Sequence, residues 1–206
     1  MVTDAVGLSN PATRAAEYVS GQFGSGYMPY EYDGTFGTLP HLTDMTTAAL
    51  DILDNNPDGF FLMVEGGRID HAGHDNDLER NVEETLEFAD SVQIILTWAA
   101  GRDDTLVIVT ADHETGGMTV LTDNPGDYPT VSWTTGGHTG ANVPVYAWGG
   151  QCRPNQRNDG KHLPVCCRFR SGTRQHEPAC PGHPGLAPPR HDPFRGEIRS
   201  GTRERS

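Results

Sequence analysis

The chain has 206 residues, enough for one sizeable domain or two small ones, and none of its apolar runs reaches membrane-spanning length. Residues 1–150 carry 23 acidic and four basic residues, whereas residues 151–206 carry five acidic and 11 basic ones. The net charge of the first part, −19, repels phosphate backbones and argues against nucleic-acid binding. The first ten residues have no basic segment and no long apolar core, so they do not predict a signal peptide.

Helical patterns occur at three places in the first hundred residues. Residues 1–40 are rich in Gly, Tyr, Pro and Asp and predict loops, with one short helix near residues 11–19. Apolar residues recur at helical spacing over residues 43–54 and again over residues 78–99. Asn76 followed by Glu79 resembles a capping box at the start of the last helix.

Three short apolar runs predict buried strands, at residues 60–64, 105–110 and 143–148. Pro144 cannot donate a ladder hydrogen bond, which places the third run at a sheet edge or makes this residue a strand start. Strands that alternate with helices in this way predict an α/β fold, a mainly parallel sheet flanked by helices.

Metal-binding residue types accompany each predicted strand. Asp70 and His74 are four residues apart, so one helical turn would place both on one face, where they suit a zinc ion. Taken alone, this spacing is more typical of a solvated acidic turn. Two further segments supply the same residue types, and the three together favour a zinc hydrolase. The candidates after the first strand are Glu65, Asp70, His71 and His74. Asp112 and His113 follow the second strand, and His138 precedes the third.

The motifs VEGG, RIDHAGH, VTADHETGG and GGHTGANVPVYAWG resemble the C-terminal half of alkaline phosphatases, over roughly residues 30–149. The resemblance implies a partial alkaline phosphatase catalytic domain in residues 1–150, with two zinc ions, one magnesium ion and small phosphomonoester substrates. His71 would at most support the neighbouring ligands. The implied metal ligands are Asp70, His74 and His138 for the first zinc ion, Asp112 and His113 for part of the second, and Glu65 for magnesium.

The family's nucleophile motif, Asp-Ser-Ala, was not identified in the chain. The segment 90–92, Asp-Ser-Val, is a superficial match inside a predicted helix, and Ser91 is predicted on the surface of that helix. Arg68 does not occupy the position that the family uses for its phosphate-binding arginine. No catalytic residue is therefore assigned, and we expect a truncated domain with little or no phosphatase activity of its own.

Residues 151–206 change in character, because Arg, Pro and Gly become frequent and all four cysteines lie there. This composition predicts an unstructured tail, for which out-of-frame translation is one hypothesis. The alternative is a zinc module, but the segment has no C-x-x-C pair. Its ligands would come from Cys152, Cys166, Cys167, Cys180, His162, His176 and His183.

Two other interpretations of the motifs stay open. One is a related metal-dependent enzyme of the same superfamily, a phosphoglycerate mutase or a phosphodiesterase, and the other is a zinc-binding remnant without catalysis. The family resemblance also implies a periplasmic or extracellular location and allows a homodimer.

Overall fold

Three helices of the computed structural model pack together: α3 (Leu42–Leu53), α4 (Gly67–Asp75) and α5 (Leu78–Trp98). The structure describes residues 1–149 and Val165–Cys166, which all belong to one compact unit. α5 contacts both other helices, and Leu50 and Ala72 are buried on α3 and α4. Among these described helices, none combines the length and the apolarity that crossing a membrane requires.

Short elements precede α3. They are α1 (Ala5–Ser9), α2 (Pro11–Arg14) and one 3-10 turn (Glu31–Asp33). The Asp4 side chain accepts a hydrogen bond from the backbone N–H of Gly7 and so caps α1, a helix that the sequence did not predict.

Seven short strands follow α5: β1 (Leu106–Thr110), β2 (Glu114–Thr115), β3 (Thr119–Thr122), β4 (Thr130–Ser132), β5 (His138–Thr139), β6 (Val145–Gly149) and β7 (Val165–Cys166). β1 pairs with β6 in antiparallel register, and β6 pairs with β7 in parallel. β2 pairs with β5, and β3 pairs with β4, both antiparallel. The β2–β5 pair is the one that builds the site described below.

The α/β class is confirmed, and the two long helices and the last two predicted strands lie within two residues of their predicted positions. The strand directions differ from the predicted mainly parallel sheet, because β6–β7 is the one parallel pair among the described strands. The chain between β1 and β6 contains short paired strands and no helix, so it returns without the helical crossover that a parallel neighbour normally uses.

The run at residues 60–64, predicted as a buried strand, pairs with no described strand. Its burial still alternates as in an extended segment: Phe61 and Met63 are largely exposed, whereas Phe60, Leu62 and Val64 are half-buried. Phe60 packs against Trp98 of α5, with ring centroids 5.5 Å apart. Side-chain packing on α5 therefore positions this run, without ladder hydrogen bonds.

The junction between α4 and α5 also corrects the sequence analysis. Asn76 does not begin α5; it ends α4 with a left-handed backbone (φ 54°). The N-cap of α5 is Asp77, whose side chain accepts a hydrogen bond from the backbone N–H of Arg80 at 3.1 Å. Asn tolerates the left-handed conformation better than most residues, which explains why Asn76 terminates α4.

The tail predicted at residues 151–206, including the alternative zinc module, lies outside the described residues apart from Val165–Cys166. Its predicted character and the predicted boundary near residue 150 stay predictions.

Candidate metal centre

Helix α4 presents Asp70 and His74 on the same face, one turn apart. The Oδ2 atom of Asp70 lies 3.3 Å from the Nε2 atom of His74, as their spacing predicted. About a third of each side chain is exposed, 33% for Asp70 and 37% for His74. Both groups are thus accessible from solvent and yet held by the helix.

His138 joins them from β5, 64 residues further along the chain than His74. Its Nε2 atom lies 3.1 Å from Nε2 of His74 and 3.4 Å from Oδ1 of Asp70. One ligand atom from each of the three residues lies within 4.8 Å of the other two. The structure thereby brings together the three residues that the sequence motifs assigned to one metal ion.

The hydrogen bond on the far side of His74 is the one expected of a histidine whose other ring nitrogen binds a cation. Its Nδ1 atom lies 2.7 Å from the carbonyl oxygen of Gly136. A carbonyl can only accept, so Nδ1 carries a proton, and in the neutral ring Nε2 then presents its lone pair towards Asp70 and His138. Only a proton or a cation makes the 3.1 Å contact between two imidazole Nε2 atoms favourable. Metal-bound histidines typically donate their other N–H in this manner.

His113 and Asp112 lie beside this group. The His113 ring stacks on His138 with ring centroids 3.5 Å apart, and its Nδ1 atom is 3.9 Å from Oδ1 of Asp70. The Nε2 atom of His113 lies 3.3 Å from Oδ2 of Asp112. The Asp112 side chain is 86% exposed, so this second pair faces open solvent on one side.

Asp70 carries the negative charge at the centre of the cluster. Burial raises the pKa of Asp70, but the Thr115 hydroxyl and three neighbouring imidazoles lower it more, so the pKa falls below the usual value for Asp. The carboxylate is therefore ionised at neutral pH, which is the form that binds a cation.

Glu65 and His71 lie apart from this group of five. Glu65 is exposed just before α4 and belongs to neither of the two clusters of potential metal ligands among the described residues. The Nδ1 atom of His71 accepts a hydrogen bond from Nη1 of Arg68 at 2.9 Å, and its ring packs edge-on against Tyr27. Arg68 itself lies over the ring of Tyr30, 3.6 Å from the centroid.

Thr115 and Glu114 form contacts that the sequence analysis missed. The Thr115 hydroxyl donates to Oδ1 of Asp70 at 2.5 Å. Glu114 accepts from the backbone N–H groups of Gly117 and Met118 and from the Thr139 hydroxyl, which lowers the pKa of Glu114. One signal was present, because Thr115 is two residues from His113, which directly precedes β2, and side chains two apart in an extended segment share a face.

A second group of metal-binding residue types consists of Glu31, His41 and Glu87. Each of its members already has a structural partner. Nδ1 of His41 lies 2.8 Å from the Glu31 carboxylate, and Glu87 accepts from the backbone N–H of Thr43 at 2.7 Å, where α3 begins. The hydrogen bond between His41 and Glu31 and the capping of α3 by Glu87 account for this group.

Ser91 is buried, with no exposed surface, whereas the sequence analysis placed it on the helix surface. The apolar stripe predicted from the helical spacing over residues 78–99, which includes Leu86, is the reason for the error. Leu86 is 54% exposed, whereas Glu84 is buried. Ser91 and Glu84 are seven residues apart and so lie on one face. Because it is buried inside a helix, Ser91 is not accessible as a nucleophile.

A family model described as alkaline phosphatase matches residues 1–128. The chain belongs to the alkaline phosphatase family. It is 39% identical over 120 residues to the repressible alkaline phosphatase of Saccharomyces cerevisiae, an alignment that covers 55% of this chain and 21% of that protein. It is 43% identical over 105 residues to alkaline phosphatase 3 of Bacillus subtilis, covering 51% of this chain and 22% of that one.

Solved alkaline phosphatases share the fold. The Thermus thermophilus enzyme matches with a TM-score of 0.53 and 35% identity, over 58% of this chain and 25% of that one. A cold-active enzyme from Shewanella sp. matches with a TM-score of 0.62 and 24% identity, over 73% of this chain and 53% of that one, which supports the fold alone. This chain spans about a fifth of the length of the curated relatives it matches. His138 lies beyond the matched range of the family model, so its place in the centre depends on the geometry.

Proposed function

We propose that this chain carries metal-binding residues of a phosphate monoester hydrolase, an alkaline phosphatase. One observation carries the proposal: Asp70, His74 and His138 converge from a helix and a distant strand with their ligand atoms within 4.8 Å. Family membership supplies the reaction class, hydrolysis of small phosphomonoesters, and the geometry supplies a site in which a metal ion can be held.

The three convergent residues would hold a first zinc ion. Two nitrogens and one carboxylate oxygen make up a donor set that zinc prefers, and three protein ligands leave room for a water or substrate oxygen. Asp112 and His113 would provide part of the ligand set of a second zinc ion, which their 3.3 Å contact supports. Glu65 would bind magnesium, an assignment that rests on its place in the VEGG motif.

Two zinc ions in such a site would stabilise the attacking and leaving oxygens of an in-line phosphoryl displacement. The described residues contribute binding and orientation. The carbonyl of Gly136 fixes the His74 ring, and the Thr115 hydroxyl fixes the Asp70 carboxylate. Preorganised ligands of this kind avoid a reorganisation cost when the metal binds.

No residue of the chain is proposed as the nucleophile, since the Asp-Ser-Ala motif was not identified and Ser91 is buried. We therefore expect the 206-residue polypeptide alone to bind zinc and to hydrolyse phosphomonoesters little or not at all. A homodimer and a periplasmic or extracellular location, both inferred from the family, belong to the same proposal.

Zinc titration of the full chain against a chelating dye tests the metal centre, with His74→Asn and His138→Asn as ligand variants. His71→Asn is the matched control, because His71 lies on the same helix and contacts Arg68. We expect both ligand variants to lose the tighter-bound zinc and the control to keep it. Equal loss in all three variants, or no zinc binding by the wild-type chain, would remove the proposal.

Turnover of an aryl phosphate by the same samples, with zinc and magnesium present, tests the second part. Zinc binding without turnover is the expected result. Robust hydrolysis that depends on His74 would support the phosphatase assignment and contradict the expected inactivity of the polypeptide alone.

A further inference from the structure

We infer that Thr115 is a positioning residue that orients ligands of both proposed zinc ions through one hydroxyl group. The inference rests on the proposed function for its biological meaning. The Thr115 hydroxyl oxygen lies 2.5 Å from Oδ1 of Asp70, a ligand of the first zinc, and 3.2 Å from Nδ1 of His113, a ligand of the second. A single oxygen atom therefore touches both ligand sets.

The direction of these hydrogen bonds follows from the chemistry of the partners. An ionised carboxylate can only accept, so the one hydroxyl proton of Thr115 goes to Asp70. The hydroxyl oxygen is then free to accept from His113, which requires the proton of that imidazole to be on Nδ1. In the neutral ring the Nε2 atom of His113 is then unprotonated, and it faces Asp112 at 3.3 Å.

This arrangement repeats the one found at His74, where a carbonyl holds the proton on Nδ1 and frees Nε2. A metal ligand needs the free ring nitrogen on the side that faces the ion. For His74 a backbone carbonyl oxygen accepts the Nδ1 proton, and for His113 the hydroxyl oxygen of Thr115 accepts it. Thr115, a residue that can be substituted, therefore favours the Nδ1–H tautomer of His113, whereas the Asp112 carboxylate facing Nε2 favours the opposite one.

The Thr115 side chain has little freedom to turn away. β2 pairs with β5 so that Thr115 lies opposite His138. The Thr115 methyl group packs against Gly73 of α4, where an added Cβ would lie 3.2 Å from it. The backbone pairing and this contact together set the position from which the hydroxyl reaches Asp70 and His113.

Two substitutions of Thr115 separate the hydroxyl group from the packing, and a third substitution elsewhere is the control. Thr115→Val keeps the shape and removes the hydroxyl, whereas Thr115→Ser keeps the hydroxyl and removes the methyl. Thr119→Val is a matched control on the exposed strand β3. Loss of an outer hydrogen-bond partner typically weakens metal binding about 10–100-fold. We expect this loss in Thr115→Val, with affinity close to wild type in Thr115→Ser and in the control.

The decisive readout is independent of zinc: the imidazole ¹⁵N chemical shifts of His113 in the metal-free full chain at neutral to mildly alkaline pH. We expect the Nδ1–H form to predominate in the wild-type chain and in Thr115→Ser, and a change towards the Nε2–H form in Thr115→Val. A purely structural threonine would not alter the tautomer. Unchanged His113 shifts in Thr115→Val would overturn the inference, whatever its zinc affinity.

The two proposals can fail separately. If the wild-type chain binds no zinc but the His113 tautomer follows the hydroxyl, the proposed function fails and the positioning contact stands. If zinc binds through His74 and Thr115→Val matches the wild type in tautomer, the positioning role fails alone. If Thr115→Val does not fold, Thr115→Ala is compared with Thr115→Ser, since these differ only in the hydroxyl; equal His113 shifts in the two would overturn the role.

Discussion

Substituting Gly73 by Ala sets two effects of opposite sign against each other. In a helix interior, Ala is favoured over Gly by about 0.5–1 kcal/mol. Gly73 is buried, however, and a Cβ atom there would lie 3.2 Å from the Cβ and Cγ2 atoms of Thr115 and 3.3 Å from its carbonyl oxygen. Carbon atoms in contact prefer about 3.5–4.0 Å, so β2 would have to move away from α4. Overpacking of this kind costs about 1–3 kcal/mol, which exceeds the helical gain.

Gly67→Ala is the matched control on the same helix. A Cβ atom at that position would meet only the Glu65 side chain, at 3.6 Å or more, which is an ordinary contact. We expect Gly73→Ala to be less stable than Gly67→Ala by about 2 kcal/mol. For a chain of this size the difference corresponds to roughly 4–8 °C in Tm, measured by circular dichroism on heating.

Zinc affinity gives the second readout for this pair. When β2 moves away from α4, the Thr115 hydroxyl withdraws from Asp70, so Gly73→Ala should bind zinc more weakly than Gly67→Ala. Equal or higher Tm in Gly73→Ala, with unchanged zinc affinity, would refute the packing argument.

Two further predictions concern α5. Asp77→Ala removes the helix cap and should lower the unfolding free energy by about 1 kcal/mol. Asp77→Asn keeps an acceptor for the backbone N–H and should recover most of that stability. Equal losses of both variants in urea unfolding would assign the effect to the ion pair between Asp77 and Arg80 instead. Burial raises the pKa of Glu84, so its stabilising contribution is present below the unfolded-state pKa and is lost as pH rises through the raised folded-state value. Glu84→Gln should therefore raise Tm at about pH 8 and lose this advantage towards about pH 4, while a difference independent of pH would contradict the argument.

The half of the candidate site that lies on one helix, Asp70 and His74, was predictable from residue spacing alone. Asp70 and His74 share a face because a helix repeats every 3.6 residues, and α4 forms where the sequence indicated a turn. The boundaries of α3 and α5 followed from apolar spacing in the same way. Each of these features depends on residues within one or two turns of each other.

Long-range pairing was not predictable from local pattern. β2 and β5 have two residues each, too few for any periodicity, and yet their register places His138 opposite Thr115. The 3.1 Å contact between His74 and His138 depends on that register. The sequence could identify His138 through a motif, but the partner that orients a ligand, such as Thr115, depends on which elements meet.

The burial of α5 shows a different reason for failure. The predicted apolar stripe treated α5 as a helix with one buried face, whereas α3 and α4 both pack against it. A helix with two contact faces can bury polar side chains, here Glu84 and Ser91. The buried Glu84 accepts a hydrogen bond from the backbone N–H of Glu31 at 2.9 Å, as buried carboxylates require.

The two proposed zinc positions differ in how completely the described residues build them, and this difference sets an order of binding. The first has three ligands from the described chain, one of them held by a carbonyl and another by a hydroxyl. The second has two, and one of these, Asp112, is 86% exposed. Since affinity grows with the number of ligands and their orientation, the first position should fill at lower zinc concentration. Because Thr115 contacts Asp70 and His113, a zinc ion in the first position would also order the imidazole of the second.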